Sequence, residues 1–374
     1  MPTFSVTAII MIGPTGFTAI EQQMGVARRL AARDACAALR RMPQVGRVII
    51  AAPASEQAGL AELNLYDPVW DVDPPARPFH FGYRLAEIIR RHAVTRMVYI
   101  GAGSMPLLPE AQLGEALAEV AHSAGPLTIA NNVHSADWAA LSDAGVVQPM
   151  AHRLERDNML AWVLREEAGL PVKTLPPSAG TRQDIDTPFD LQVLALHPRT
   201  GTHLRQWLQS VEPTLNLDIL RRAVGILRSP GSRITLIGRV ASSAWALLEA
   251  QSRCWTRVLS EERGMAANRR QTTGQVFSIV ADHVARVGEA EFMAQLGRTS
   301  DLVLFDTRVY LAHHRSWPSA ADRFASDWGR PDQIADGRLR RLTEAALAAP
   351  LPIILGGHNV VSGGVYSLLE IAAQ

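Results

Sequence analysis

Two doubly wound, mainly parallel α/β domains are the architecture this sequence predicts. Short apolar, β-branched runs alternate along the chain with segments of helical periodicity, the pattern of strands joined by crossover helices. Several of those runs stop at glycine-bearing loops, as strands do when they deliver a loop to one edge of a parallel sheet. The 374 residues, 47% of them hydrophobic, suffice for two domains of ordinary size. The expected boundary is His197-Pro198-Arg199-Thr200-Gly201, which divides a domain over 1–198 from a second over 199–374 that opens with a helical lead-in.

Taken in order, the first strand is expected over 4–12 and ends in Gly13-Pro14-Thr15-Gly16. A helix follows over 22–41, with Val26, Leu30, Ala37 and Leu39 on or near one stripe. A second strand over 48–51 precedes Pro53, and an irregular region runs through Asp67-Pro68 and Asp73-Pro74-Pro75. A helix over 84–92 leads into the strand over 97–100, and a helix over 111–122, a strand over 127–130, a helix over 154–167 and a strand over 172–175 complete the alternation. The helix over 187–196 has a derivable start. Thr187 sits at the N-cap, Pro188 at the first helical position and Asp190 at the third, a capping box. Helices over 204–211 and 217–227 form the lead-in of the second domain. Its strands are expected over 234–237, 255–259, 302–305 and 353–355, and its helices over 244–251, 276–285, 289–296, 339–348 and 361–372.

Composition narrows the function. Basic and acidic side chains number 37 and 36, so no global field favours nucleic acid or a membrane surface. Lys173 is the single lysine. Cys36 and Cys254 are too few and too far apart for a disulfide framework or a cysteine-rich zinc site. No apolar run reaches the roughly 20 residues a membrane span needs. The N-terminal segment reads as a first strand rather than a signal peptide, and the expectation is a cytoplasmic protein.

The stretch MVYIGAGSMPLL, residues 97–108, organises the first half. A buried strand stops at Gly101-Ala102-Gly103-Ser104, where glycines let backbone amides approach a phosphate or sugar closely. Further on, Gln183-Asp184-Ile185-Asp186-Thr187-Pro188-Phe189-Asp190-Leu191 holds two carboxylates, Asp184 and Asp186, that capping does not account for. Together these stretches resemble nucleotidyltransferases of the molybdenum-cofactor guanylyltransferase type, over about 3–198. That family carries a strand ending in Gly-Asp-x-Pro-Leu-Leu and, after its last nucleotide-domain strand, an Asp-Ile-Asp-Thr-Pro-Glu-Asp-Leu-like segment.

The resemblance implies a GT-A, Rossmann-like fold, a nucleotide or phosphorylated small molecule as substrate, and Mg²⁺ as cofactor. Asp184 and Asp186 are the candidate metal ligands and nucleotide contacts it points to. Two departures stand out. Ser104 replaces the metal-binding Asp, and a serine hydroxyl is a poor Mg²⁺ ligand without carboxylate support. The first loop, with Gly13 and Gly16, lacks the basic residue of the family's Leu-Ala-Ala-Gly-x-x-x-Arg; Arg28 and Arg29 come later, inside a helix. Gly13, Gly16, Gly101, Gly103, Ser104, Asn131 and Asn132 are the remaining substrate-binding candidates of this half. Asp71-Val72-Asp73 also fits the Asp-x-Asp metal motif of sugar transferases, although Pro74-Pro75 follows it, and His80 reads as either a pocket residue or a packing histidine, with packing the favoured reading.

In the second half the loops after the four expected strands carry unusual chemistry. Arg239 follows the first, Glu261, Glu262 and Arg263 the second, Asp306 and Arg308 the third, and Gly356, Gly357 and His358 the fourth. A parallel sheet would bring all four loops to one edge. The arginines with Gly356 and Gly357 suit an anionic group, while Asp306, His358 and Glu261 are the catalytic candidates for proton transfer. Glu261 or Glu262 with Asp306 is alternatively a cation site. The expected function is a nucleotidyltransferase-like transferase acting on a nucleotide-linked or phosphorylated small molecule, with a degenerate metal site in the first domain. The alternative is a non-catalytic nucleotide- or anion-binding regulatory protein. Neither nucleic acid nor membrane is an expected partner, and a homo-oligomer is left open.

Overall fold

A computed structural model describes residues 5–74 and 78–374; Thr3, Phe4, Pro75 and Arg77 lie outside the described residues. The chain divides into two compact units. The first comprises Met1–Gly16, Gly25–Asp184 and Gly201–Leu204, and the second Phe17–Met24, Ile185–Thr200 and Arg205–Gln374.

The first unit holds a seven-stranded sheet. Its strands are β1 (Val6–Met11), β2 (Val45–Ala52), β3 (Val69–Val72), β4 (Met97–Gly101), β5 (Thr128–Ala130), β6 (Trp138–Leu141) and β7 (Val172–Thr174), in the order β3-β2-β1-β4-β6-β5-β7. β1 pairs in parallel with β2 and β4, β2 with β3, and β5 with β7, whereas β6 is antiparallel to both β4 and β5. Every residue of β1 is buried because helices cover both faces of the sheet. Val6, Ala8 and Ile10 point into one core and Ile9 and Met11 into the other. The helix Phe81–Arg91 turns Phe81, Leu85, Ile88 and Ile89 into the second of these cores. Two strands depart from the expected pattern. β3 replaces part of the irregular region, and the alanine-rich β6 has too little strand propensity to stand out. The expected helix over 154–167 is a succession of short turns ending in the π-helical segment Val163–Glu167.

The second unit holds a four-stranded sheet of β8 (Arg233–Gly238), β9 (Trp255–Ser260), β10 (Leu302–Asp306) and β11 (Ile353–Gly356), in the order β11-β10-β8-β9 and parallel throughout. The winding reverses between β8 and β10. In such sheets the crevice beyond the carboxyl ends of the strands at the reversal is where ligands bind. Gly238, at φ +109, ends β8 in a conformation open to glycine; a Cβ there would lie 2.6 Å from the Asp306 carbonyl oxygen. This close approach seats the end of β8 against the end of β10. The helix Pro188–Leu196 starts as expected, with the Asp190 carboxylate accepting from the Thr187 N–H at 2.7 Å. Asp190 is fully buried, however, and also accepts from Asn359 at 2.8 Å, so the capping residue ties the helix to the loop beyond β11. Among the described residues no helix is long and apolar enough to cross a membrane, and Cys36 and Cys254 are free thiols.

Candidate functional site

In the first unit a cavity of about 1020 Å³ opens beyond the carboxyl ends of β1, β2 and β3. Met11–Pro14, Ala51 with Pro53–Ser55, and Val72–Pro74 give three of its walls; the fourth comes from helix Phe81–Arg91 and the residues before it. On that wall His80 and Tyr83 stack with ring centroids 4.2 Å apart, and Phe79 and Tyr83 keep more than half their surface exposed. A planar heterocycle finds an aromatic face here.

Arg84, 5% exposed, forms the floor. Its guanidinium donates to Asp71 Oδ1 at 2.7 Å and to Asp73 Oδ1 at 2.8 Å, and Nη1 has no hydrogen-bond partner among the described residues. Burial alone would raise the Asp71 carboxyl, but hydrogen bonds from Arg84 and His92 outweigh it and hold it below the ordinary range. Asp71 and Asp73 are thereby neutralised within the fold, which removes them as the free metal ligands of an Asp-x-Asp motif.

A third carboxylate, in the turn Ala54–Glu56 after β2, meets the loop after β1. Glu56, 7% exposed, accepts from the Thr15 backbone N–H at 2.9 Å, from the Thr15 hydroxyl at 3.1 Å and from Arg29 Nη1 at 2.9 Å. A loop amide and the nearest cation, the donors a phosphate would use, are already held by an internal anion.

Of the first-unit candidates, Gly13 lines the cavity, while Gly16, Gly101, Gly103, Ser104, Asn131 and Asn132 lie outside its walls. Ser104 is 6% exposed and its hydroxyl donates to the Gly101 carbonyl at 2.7 Å, closing the turn in which Gly103 has φ +91. Asn131 donates to Asp137 at 2.8 Å and to the Thr181 carbonyl at 3.2 Å, bracing the loop over 131–137 against the segment before Asp184. Asn132 caps a turn by accepting from the His134 N–H at 3.1 Å. Asp184 belongs to the first unit and Asp186 to the second. Among the described residues no three His, Cys, Asp or Glu side chains gather as metal ligands. A serine hydroxyl engaged with its own turn does not fit Mg²⁺, which favours carboxylate and phosphate oxygens.

The second unit brings most of its candidates to the carboxyl edge of its sheet. Asp306, fully buried at the end of β10, accepts from Arg308 Nε at 2.9 Å and Nη2 at 3.0 Å, and Arg239 Nε lies 3.6 Å away. Burial raises this carboxyl, yet Arg308 and Arg239 more than compensate and lower it to about 2. Burial and the neighbouring Arg308 bring Arg239 down to about 10, so it stays charged at neutral pH. The same two causes push His358 to about 3, leaving a neutral imidazole whose buried Nδ1 has no hydrogen-bond partner among the described residues. Arg263 is exposed on the loop after β9 and adds to the positive field at Arg239 and His358. Gly356 and Gly357 shape the turn beyond β11, and a Cβ on Gly357 would lie 2.8 Å from the Thr187 methyl.

Glu261 stands at this edge, its N–H donating to the Gly238 carbonyl at 3.0 Å, but its side chain is engaged otherwise. Its oxygens accept from the Ser278 hydroxyl at 2.5 Å and the Ile279 N–H at 2.8 Å, capping helix Ile279–Val287, while Glu262 pairs with Arg270. A further acid in this unit is Asp327, the last residue of helix Ala320–Asp327. Burial and the adjacent Asp190 raise its carboxyl well above the ordinary range. A carboxylate at a helix C-terminus opposes the macrodipole, which was the available signal. Asp190 is itself raised to about 6 by burial and by Asp186.

No family model matches the sequence, and no curated protein matches it. Solved structures do. By their descriptions they include a nucleotide-diphospho-sugar transferase from Desulfovibrio desulfuricans G20, at 13% identity and TM-score 0.42 over 56% of this chain and 96% of that one. A cytidylyltransferase from Leptospira borgpetersenii matches at 12% identity and TM-score 0.39 over 58% of this chain and 97% of that one. A nucleotidyl transferase from Methanothermobacter matches at 13% identity and TM-score 0.36 over 48% of this chain and 91% of that one. At these identities and TM-scores the likenesses leave the chemistry of this chain to its own residues.

Proposed function

We propose that the first unit is a nucleotidyltransferase-like domain that binds a nucleotide or nucleotide-linked small molecule in the cavity beyond β1–β3, and that it binds without transferring. The cavity carries this reading. It lies at the sheet edge where open α/β sheets take ligands, its volume suits such a molecule, and its aromatic wall offers a stacking face to a base. The motifs over 97–108 and 183–191 supply the nucleotidyltransferase-like part of the reading. Binding without transfer is favoured by two engaged sites: Ser104 donates to its own turn, and Glu56 neutralises Arg29 at the β1 loop. Phosphoryl transfer depends on electrostatic support at those places. Mg²⁺ in this reading travels on the ligand's phosphates and is no resident of the domain.

Calorimetric titration with the common nucleoside triphosphates and nucleotide sugars, with Mg²⁺ or with EDTA, tests the proposal. At least one ligand is expected to bind saturably, with little Mg²⁺ enhancement and no pyrophosphate release. Tyr83→Ala is expected to weaken it by about tenfold, the loss of one stacked base. Binding of none of them contradicts the site; strong Mg²⁺ dependence with pyrophosphate release contradicts the non-catalytic part and restores a transferase.

A further inference from the structure

We propose that the second unit carries an anion site of its own at the reversal between β8 and β10, where Arg239, Arg263 and the Nδ1 edge of His358 receive the phosphate group of a small molecule. The proposal stands on this unit alone and does not depend on what the first unit binds.

The charges at this edge do not balance. Three guanidinium groups, Arg239, Arg263 and Arg308, all act on His358, and Arg308 and Arg263 also act on Arg239. The one carboxylate among them, Asp306, is occupied by a bidentate pair with Arg308. Arg239 reaches that carboxylate only at 3.6 Å, and its buried Nε has no hydrogen-bond partner among the described residues. Gathering like charges in a partly buried place is unfavourable unless an anion compensates them. The remaining acids nearby do not supply that charge to Arg239. Asp186 and Asp327 act on Arg308, burial shifts Asp327 toward its neutral form, and the Asp190 carboxylate is taken by the Thr187 N–H and by Asn359.

The backbone adds to the same field. Helices Ser242–Gln251 and Gly363–Ala372 both begin at this edge, and neither start is capped by a side chain. The Ala241 N–H donates to the Val361 carbonyl at 3.2 Å, which holds the two helix starts side by side. Their amide ends are partial positive charges. Asp306 has a defined part here: ionised at neutral pH, it fixes Arg308 at this edge and is a positioning residue rather than a proton carrier. Guanidinium groups arranged around a helix start match the tetrahedral, multiply charged oxygens of a phosphate better than a single carboxylate.

The probe is inorganic phosphate, with pyrophosphate and succinate as comparators, read by NMR of ¹³C-histidine-labelled protein with His358→Gln to assign the resonance. Phosphate is expected to move the His358 resonance saturably and to raise its pKa, because an anion beside the ring stabilises the imidazolium. Resonances of His80 and His152, which line the first unit's cavity, report binding there separately. Arg239→Gln is expected to weaken phosphate by about tenfold, the loss of one charge-assisted contact, without lowering the melting temperature. Should that variant fail to fold, Arg263→Gln, at an exposed position, is expected to weaken phosphate several-fold. A His358 resonance indifferent to phosphate, or an unchanged affinity in a folded Arg239→Gln or Arg263→Gln protein, overturns the site. Succinate binding as well as phosphate overturns the phosphate assignment. Tighter binding of pyrophosphate than phosphate assigns a diphosphate group, and equal binding a terminal monophosphate.

Discussion

Glu56 holds the Thr15 amide and Arg29 in the place where a phosphate-binding loop would hold its ligand. Glu56→Gln removes the internal anion and leaves Arg29 free to meet an incoming one. Triphosphate affinity is expected to rise by about tenfold in calorimetry, and an unchanged affinity would show that the loop does not face the ligand. Asp190 makes a prediction about pH. Its folded carboxyl is raised from 3.8 to about 6, so the stability linked to its proton is present below the ordinary value and is lost as pH rises through 6. Asp190→Asn should flatten that part of the stability curve measured in urea; an unaltered slope would assign it to other groups. Asp306 runs the other way, its contribution present above 3.8 and lost as pH falls toward 2. The strand-end charges Arg239, Asp306, Arg308 and His358 were legible because they are adjacent to apolar runs. Glu56 was not, since its partner Thr15 lies 41 residues away and no local pattern links them. Glu261 was legible as a charge but not as a helix cap, because its helix starts 18 residues later.

Among the elements, the buried or nearly buried strands β1, β4, β8, β10 and β11 could be read as largely apolar runs. β6 could not, because Trp138–Leu141 is short and alanine-rich, and its antiparallel setting between β4 and β5 is a tertiary choice. β3 sits at the sheet edge with Val69 and Val72 exposed, so it lacks the buried signature. Helix Phe81–Arg91 was expected over 84–92, and the missing first turn is where Phe81 and Tyr83 act. The aromatic wall of the cavity was therefore hidden in what read as a loop. The junction of β8 with β10 gives a test at this scale. Gly238→Ala forces a side chain onto the Asp306 carbonyl at positive φ, and a loss of about 2 kcal/mol is expected in urea denaturation. Stability equal to the parent would mean that the two strand ends move apart easily.

At the scale of the molecule, each of the two units places its candidate site at the carboxyl edge of its own sheet, and the near balance of 37 basic and 36 acidic residues leaves recognition to local charge. The two units differ in what they offer. The first presents an aromatic cavity beside which the helix cation Arg29 is neutralised, and the second a cationic sheet edge. The α/β class was legible from the alternation of strands and helices, whereas the walls of the cavity come from segments distant in sequence and appear only on folding. The most direct test of the proposed function is a crystal structure of the protein with the nucleotide that calorimetry selects. The expected result is a base stacked on Tyr83 in the cavity beyond β1–β3, with no metal bound at Ser104. A nucleotide lying instead across the Gly101–Ser104 turn, with Mg²⁺ held there, would contradict it.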